Sequence, residues 1–173
     1  MNLALLHFQP LELYPPVMNC IRDLEKEKVT ELKIFTTHSK NNWFSSSYPI
    51  YRLGNYTTSR RNRYWTYLYF NLVSFFFLCY YRPKKVLYYE TYSSWPVYWY
   101  KKLFPAVHVF IHFHEYLSEI EKKESTSYFK YLLKKEAYNL NNASWISHTN
   151  EDRMLFFQQD YPFVRKDQCH ILP

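Results

Sequence analysis

The chain has 173 residues, enough for one ordinary domain with its own core, and 47% of them are apolar, which excludes a disordered chain. Its single glycine, Gly54, cannot supply a dinucleotide fingerprint, a P-loop or a glycine-rich anion cradle, which argues against a phosphate site made from this chain alone. The formal charge of +7 suits nucleic acid, anionic lipid or an anionic small ligand, and equally a soluble protein with surplus lysine.

The start, MNLALLHF, lacks a basic n-region and its apolar run breaks at His7, so it reads as a mature N-terminus and not a signal peptide. Residues 3–8 read as a first strand, closed by the turn signal of Gln9 and Pro10. Pro15 and Pro16 are tolerated in the first turn of a helix, and Val17, Ile21 and Leu24 follow at helical spacing. Residues 30–37 alternate as a second strand, 38–48 form a Ser/Asn-rich loop, and 48–53 are a short third strand ended by Gly54.

The run 64–81, YWTYLYFNLVSFFFLCYY, approaches the length of a membrane span and has basic residues on both sides. Its early Tyr, Trp, Thr and Asn suit an interface more than hydrocarbon, so it reads as a buried or interfacial helix ended by Pro83. A fourth strand follows at 85–90 and a short helix at 95–104. Residues 107–113, VHVFIHF, are near-continuously apolar, as in a strand covered on both faces of a parallel sheet. The polar stretch 118–127 leads to a helix at 126–141, with Tyr128, Tyr131, Leu132 and Ala137 near one face. A strand at 145–147, a helix at 150–159 with Asn150 as N-cap, and a last strand at 169–172 complete the order.

Strands and helices alternate throughout, without repeats or a composition shift. That pattern predicts an α/β fold: one Rossmann-like domain over 1–173, a doubly wound parallel sheet of six to seven strands with helices on both faces. Ligands of such sheets lie beyond the carboxyl ends of the strands. His114, Glu115 and Tyr116 stand at that end of the fifth strand, where a histidine beside a carboxylate can orient hydroxyls or share a proton. Glu12 follows the first strand, and Glu90 and Thr91 the fourth. His108 reads as a core histidine. His112 and His114 share a face, but no third ligand stands at a fixed offset and no cysteine pair has zinc spacing, so no metal site is expected. Cys20, Cys79 and Cys169 read as reduced core cysteines of a cytosolic protein. The arginines 60, 61, 63 and 82 with Lys84 and Lys85 bracket the aromatic helix, as a nucleic-acid strand or an anionic bilayer would require, though no RNA- or DNA-binding signature is present.

Four stretches resemble the N-terminal domain of a family 4 retaining glycosyltransferase with the GT-B fold. IHFHEY at 111–116 is similar to the family's strand-end histidine motif. ASWISHTNEDRMLFF at 143–157 looks like its short strand leading into an Asn-Glu-x-Arg helix. RPKKVLYYETYSSWP at 82–96 and CHILP at 169–173 match two further strands in order and spacing. The resemblance implies that His114 is the active-site histidine contacting the donor sugar. It implies that Glu12, Tyr14, Glu90, Thr91, Glu115, Asn150 and Arg153 line the acceptor or donor sugar. It also implies a nucleotide-sugar donor held by a second half outside these residues, a glycan or lipid-linked acceptor, and no cofactor. The loop after the first strand, QPLELYPP, departs from the family in lacking glycines. The expected protein is cytoplasmic, with peripheral contact at the inner face of the membrane, is not expected to bind nucleic acid, and does not turn over without its second half. The alternative is a non-catalytic basic and aromatic module for nucleic acid or an anionic membrane surface.

Overall fold

A computed structural model describes residues 2–172. Its order is β1 (Asn2–His7), α1 (Pro15–Lys26), β2 (Glu31–His38), β3 (Ile50–Asn55), α2 (Arg60–Tyr81), β4 (Lys85–Tyr89) and α3 (Ser94–Leu103). Then come β5 (His108–Phe113), α4 (Glu119–Glu124), α5 (Ser127–Asn141), β6 (Trp145–His148), α6 (Glu151–Asp160) and β7 (Cys169–Ile171). The strands form one parallel sheet of seven, in the order β3-β2-β1-β4-β5-β6-β7, with helices on both faces. This is the Rossmann-like arrangement expected from the alternation of elements.

The chain divides into two compact units after Val86. In the first, Leu5 sits opposite Ile34 in the parallel β1–β2 register and Ile34 opposite Ile50 in β2–β3. Leu5, Leu6, Ile34, Phe70 and Leu78 are fully buried, so the apolar run of β1 is covered on both faces. Pro15 opens α1 as expected, and Val17 and Ile21 are its buried residues with Met18. In the second unit Ile111 pairs with Ile146 and Ile146 with Cys169. Val109 and Ile111 are fully buried, and α3 packs on α5.

Several expectations need correction. The aromatic helix begins at Arg60, four residues before the apolar run. Gly54 lies inside β3 and does not end it. Its φ is 77°, and a Cβ there would stand 3.1 Å from Thr66 Cγ2, so the glycine lets β3 and α2 approach each other. His108 is exposed, with its ring 3.1 Å from Ser144 Oγ, because it occupies the first, uncovered position of β5. The three cysteines are thiols that are half-buried, not core residues. The polar stretch after β5 contains α4, whose capping box joins Ser118 and Glu121. The buried face of α5 is Phe129, Leu132, Glu136, Asn139 and Leu140, rotated from the tyrosine face read in the sequence.

Candidate functional site

The carboxyl ends of β4, β5 and β6 converge in the second unit, and six of the expected site residues, Glu90, Thr91, His114, Glu115, Asn150 and Arg153, lie there. Glu90 follows β4 with φ 61° and ψ 155°, a backbone region nearly restricted to glycine. This conformation lets Glu90 N donate to His112 O at 3.2 Å, while Glu90 Oε1 accepts from His114 N at 2.8 Å. From the other side, Arg153 Nη1 donates to His114 O and, at 2.7 Å, to Thr149 Oγ1. Arg153 is aimed by the start of α6, where Asn150 acts as N-cap and accepts from Arg153 N at 2.9 Å. The main chain of His114 is thus clamped by charged side chains from the two neighbouring strand ends. Such charge-assisted hydrogen bonds are about twice as strong as neutral ones.

Beside the clamp lies a small pocket, partly open to solvent. Thr91, Glu115 and Tyr116 line it together with groups that sequence reasoning did not single out: Lys122, Glu136, His148 and Tyr161. Glu136 is 2% exposed. Thr91 Oγ1 donates to its Oε2 at 2.8 Å, and Tyr88 Oη reaches Oε1 at 3.5 Å. Burial pushes its carboxyl up to about 8; the Thr91 hydrogen bond opposes this and nearby Glu90 adds to it. Burial thus favours the protonated form of Glu136.

His148 is 1% exposed and stacks on Phe113, ring centres 5.2 Å apart, with Phe157 at 4.9 Å. Neither ring nitrogen has a hydrogen-bond partner among the described residues. Burial, with smaller contributions from His112 and Arg153, pushes its imidazole down to about 3. His112, paired with Ser147 Oγ at 2.7 Å, is pushed down to about 4 by burial and then by His114. At the pocket's edge Asp160 Oδ2 accepts from Lys122 Nζ at 2.6 Å and from Tyr116 Oη at 2.5 Å. Lys122 Nζ lies 4.6 Å from the Tyr161 ring centre. The site thus offers neutral groups able to donate and accept, aromatic faces, and one ion pair. That composition suits hydroxyls better than phosphates.

Two expected site residues, Glu12 and Tyr14, belong to the first unit. Arg52 grips Glu12 through both guanidinium nitrogens, at 2.6 and 3.1 Å, and Phe44 N donates to it at 3.2 Å. Burial pushes the Glu12 carboxyl up, but Arg52 and the backbone donors outweigh it and hold it below the usual range. This pair pins the loop before β3. Tyr14 precedes α1 with its ring 4.5 Å from that of His7. A sequence signal existed for Glu136, an acid on the apolar stripe with Phe129, Leu132 and Leu140. For His148 the signal was its place at a strand end, like that of His114.

No family model matches the chain, and neither does any curated protein. Solved structures do. A sucrose-phosphate synthase chain from Thermosynechococcus elongatus is 14% identical, with a TM-score of 0.67 over 100% of this chain and 88% of that one. The UDP-GlcNAc 2-epimerase from Neisseria meningitidis, bound to UDP-GlcNAc, is 12% identical, with a TM-score of 0.65 over 99% and 45%. The lipopolysaccharide outer core galactosyltransferase WaaB is 9% identical, with a TM-score of 0.62 over 99% and 45%. The fold is therefore that of one half of a GT-B glycosyltransferase. The chain spans just under half the length of the last two proteins.

Proposed function

We propose that this chain is the acceptor-binding half of a retaining GT-B glycosyltransferase of the family 4 type. It helps move a sugar from a nucleotide-sugar to a hydroxyl of a glycan or lipid-linked acceptor. The observation that carries this reading is the double clamp on His114 at the strand ends, where GT-B-like sheets receive ligands. Fixing the main chain on both sides gives the imidazole a fixed base from which to meet the donor sugar near the reacting carbon. The neighbouring pocket suits the acceptor. Protonated Glu136 and neutral His148 can each donate and accept with hydroxyls, and Tyr116, Phe157 and Tyr161 offer ring faces. The donor nucleotide belongs to a second half, as the length of the matched proteins suggests.

The test is transfer by the protein joined to its donor-binding half, with products read by mass spectrometry. His114→Ala is expected to lower kcat by about a hundredfold or more, with the far-ultraviolet spectrum unchanged. Undiminished turnover in that variant overturns the assignment of His114. A folded two-half protein that binds no sugar nucleotide overturns the glycosyltransferase reading as a whole.

A further inference from the structure

Helix α2 is apolar on two sides, and the fold covers only one. Tyr67, Phe70, Asn71, Ser74 and Leu78 face the core and are all at most 3% exposed. Trp65, Tyr69, Leu72, Phe76 and Tyr80 recur every three to four residues on the opposite side, 47–79% exposed. That stripe runs for roughly 20 Å along the helix. A continuous aromatic face of this kind on a surface marks an interaction site more often than scattered exposed residues do.

The charge around it is one-sided. From residue 32 to residue 89 there are nine Lys or Arg and no Asp or Glu. Before residue 87 the chain holds twelve basic and five acidic residues, and after it ten of each, so the first unit carries the whole net charge of +7. Arg61 and Arg63 at one end of α2, and Arg82 and Lys84 just past the other, are exposed.

We propose that the outer face of α2 docks on an anionic phospholipid bilayer, with the helix lying in the plane of the headgroups. Tyr and Trp, amphipathic rings that prefer the headgroup level, make up three of the five residues of the stripe. Basic groups at both ends of the helix match an in-plane orientation, in which each end meets lipid headgroups. Among the described residues no helix is long and apolar enough to cross a membrane. A second copy would bring two equally basic faces together. A nucleic-acid strand is held in a groove lined by bases' stacking partners, whereas this stripe is the convex side of a helix with Leu72 and Phe76 at its centre. The proposal rests on exposure and charge, independently of the glycosyltransferase reading, and its test needs no transfer assay.

The test is cosedimentation with vesicles of phosphatidylcholine, with and without about 30 mol % phosphatidylglycerol. The protein is expected to bind the anionic vesicles, to bind neutral ones weakly, and to release as salt is raised from about 0.1 to 0.5 M. The triple variant Trp65→Ser, Phe76→Ser, Tyr80→Ser removes only exposed rings, so its melting temperature should hold. Its partition should fall by about tenfold or more. The pair Arg61→Glu, Arg63→Glu should abolish the preference for anionic over neutral vesicles. Absence of vesicle binding by the folded protein, or unchanged binding by the triple variant, overturns the proposal. So does a concentration-dependent dimer, or binding to a single-stranded RNA, that the triple variant abolishes while vesicles are ignored.

Discussion

Glu90 combines an unfavourable backbone with a favourable side-chain contact. At φ 61° and ψ 155° its Cβ is disfavoured by about 1–3 kcal/mol. The chain has only one glycine, and it stands elsewhere, in β3. The compensating contact is Glu90 Oε1 to His114 N. Replacing Glu90 by Ala and by Gly separates the two effects, because both lose the carboxylate and only Gly relaxes the backbone. Glu90→Gly is therefore expected to be more stable than Glu90→Ala by about 1–2 kcal/mol, the reverse of the usual order within helices or strands. Urea denaturation of the two variants reads this difference. Equal midpoints would mean that residue 90 is not strained. Both variants should lose transfer in the two-half protein, since the clamp on His114 loses one jaw in each.

The elements packed around the pocket carry a pH dependence of their own. Glu136 on α5, raised to about 8 from an ordinary 4.5, holds a proton in the folded chain that the unfolded chain releases across that range. Its contribution therefore falls as pH rises from about 4.5 to 8. His112 on β5 and His148 on β6 act in the opposite sense. Between their lowered values, about 4 and about 3, and the ordinary 6.5, only the unfolded chain takes up the protons. Their contribution is complete above 6.5 and is lost as pH falls toward those values. Stability should peak near pH 6.5 and decline on both sides, as read from urea midpoints across the range. Glu136→Gln should flatten the alkaline limb and leave the acid limb intact; an unchanged alkaline limb would assign it to another group. These groups also show where the sequence was legible. The run VHVFIHF gave β5, and the paired prolines gave the start of α1, because local pattern decides such elements. The turn of α5 that buries Glu136 is set by what packs against it, and tyrosines that look apolar in sequence ended outside. Helix α4 escaped notice because EIEKKE has one apolar residue, Ile120, and that residue is exposed. His114, Glu90 and Arg153 were each visible as strand-end or cap-region residues. That two of them would grip the backbone of the third is a matter of tertiary geometry, which no spacing rule contains.

At the scale of the whole molecule the distribution of charge matters more than its sum. The surplus of seven positive charges lies before residue 87, while the remainder is balanced. Among these cations Arg52 pairs with Glu12 and Lys26 with Asp23. Like charges gathered in one unit repel one another, and this repulsion opposes the compact state until salt screens it. The melting temperature should therefore rise by a few degrees between about 0.02 and 0.3 M sodium chloride, which calorimetry can follow. Exposed Lys40, Arg63 and Lys84 lie within the acid-free stretch. Changing all three to Gln should raise the melting temperature at low salt and remove most of the salt gain. A melting temperature that is flat or falls with salt would mean that local pairs already compensate the surplus. An anionic bilayer would relieve the same repulsion by supplying the missing negative charge. Anionic vesicles at low salt should then raise the melting temperature of the unaltered protein more than that of the Gln variant, and neutral vesicles should raise neither.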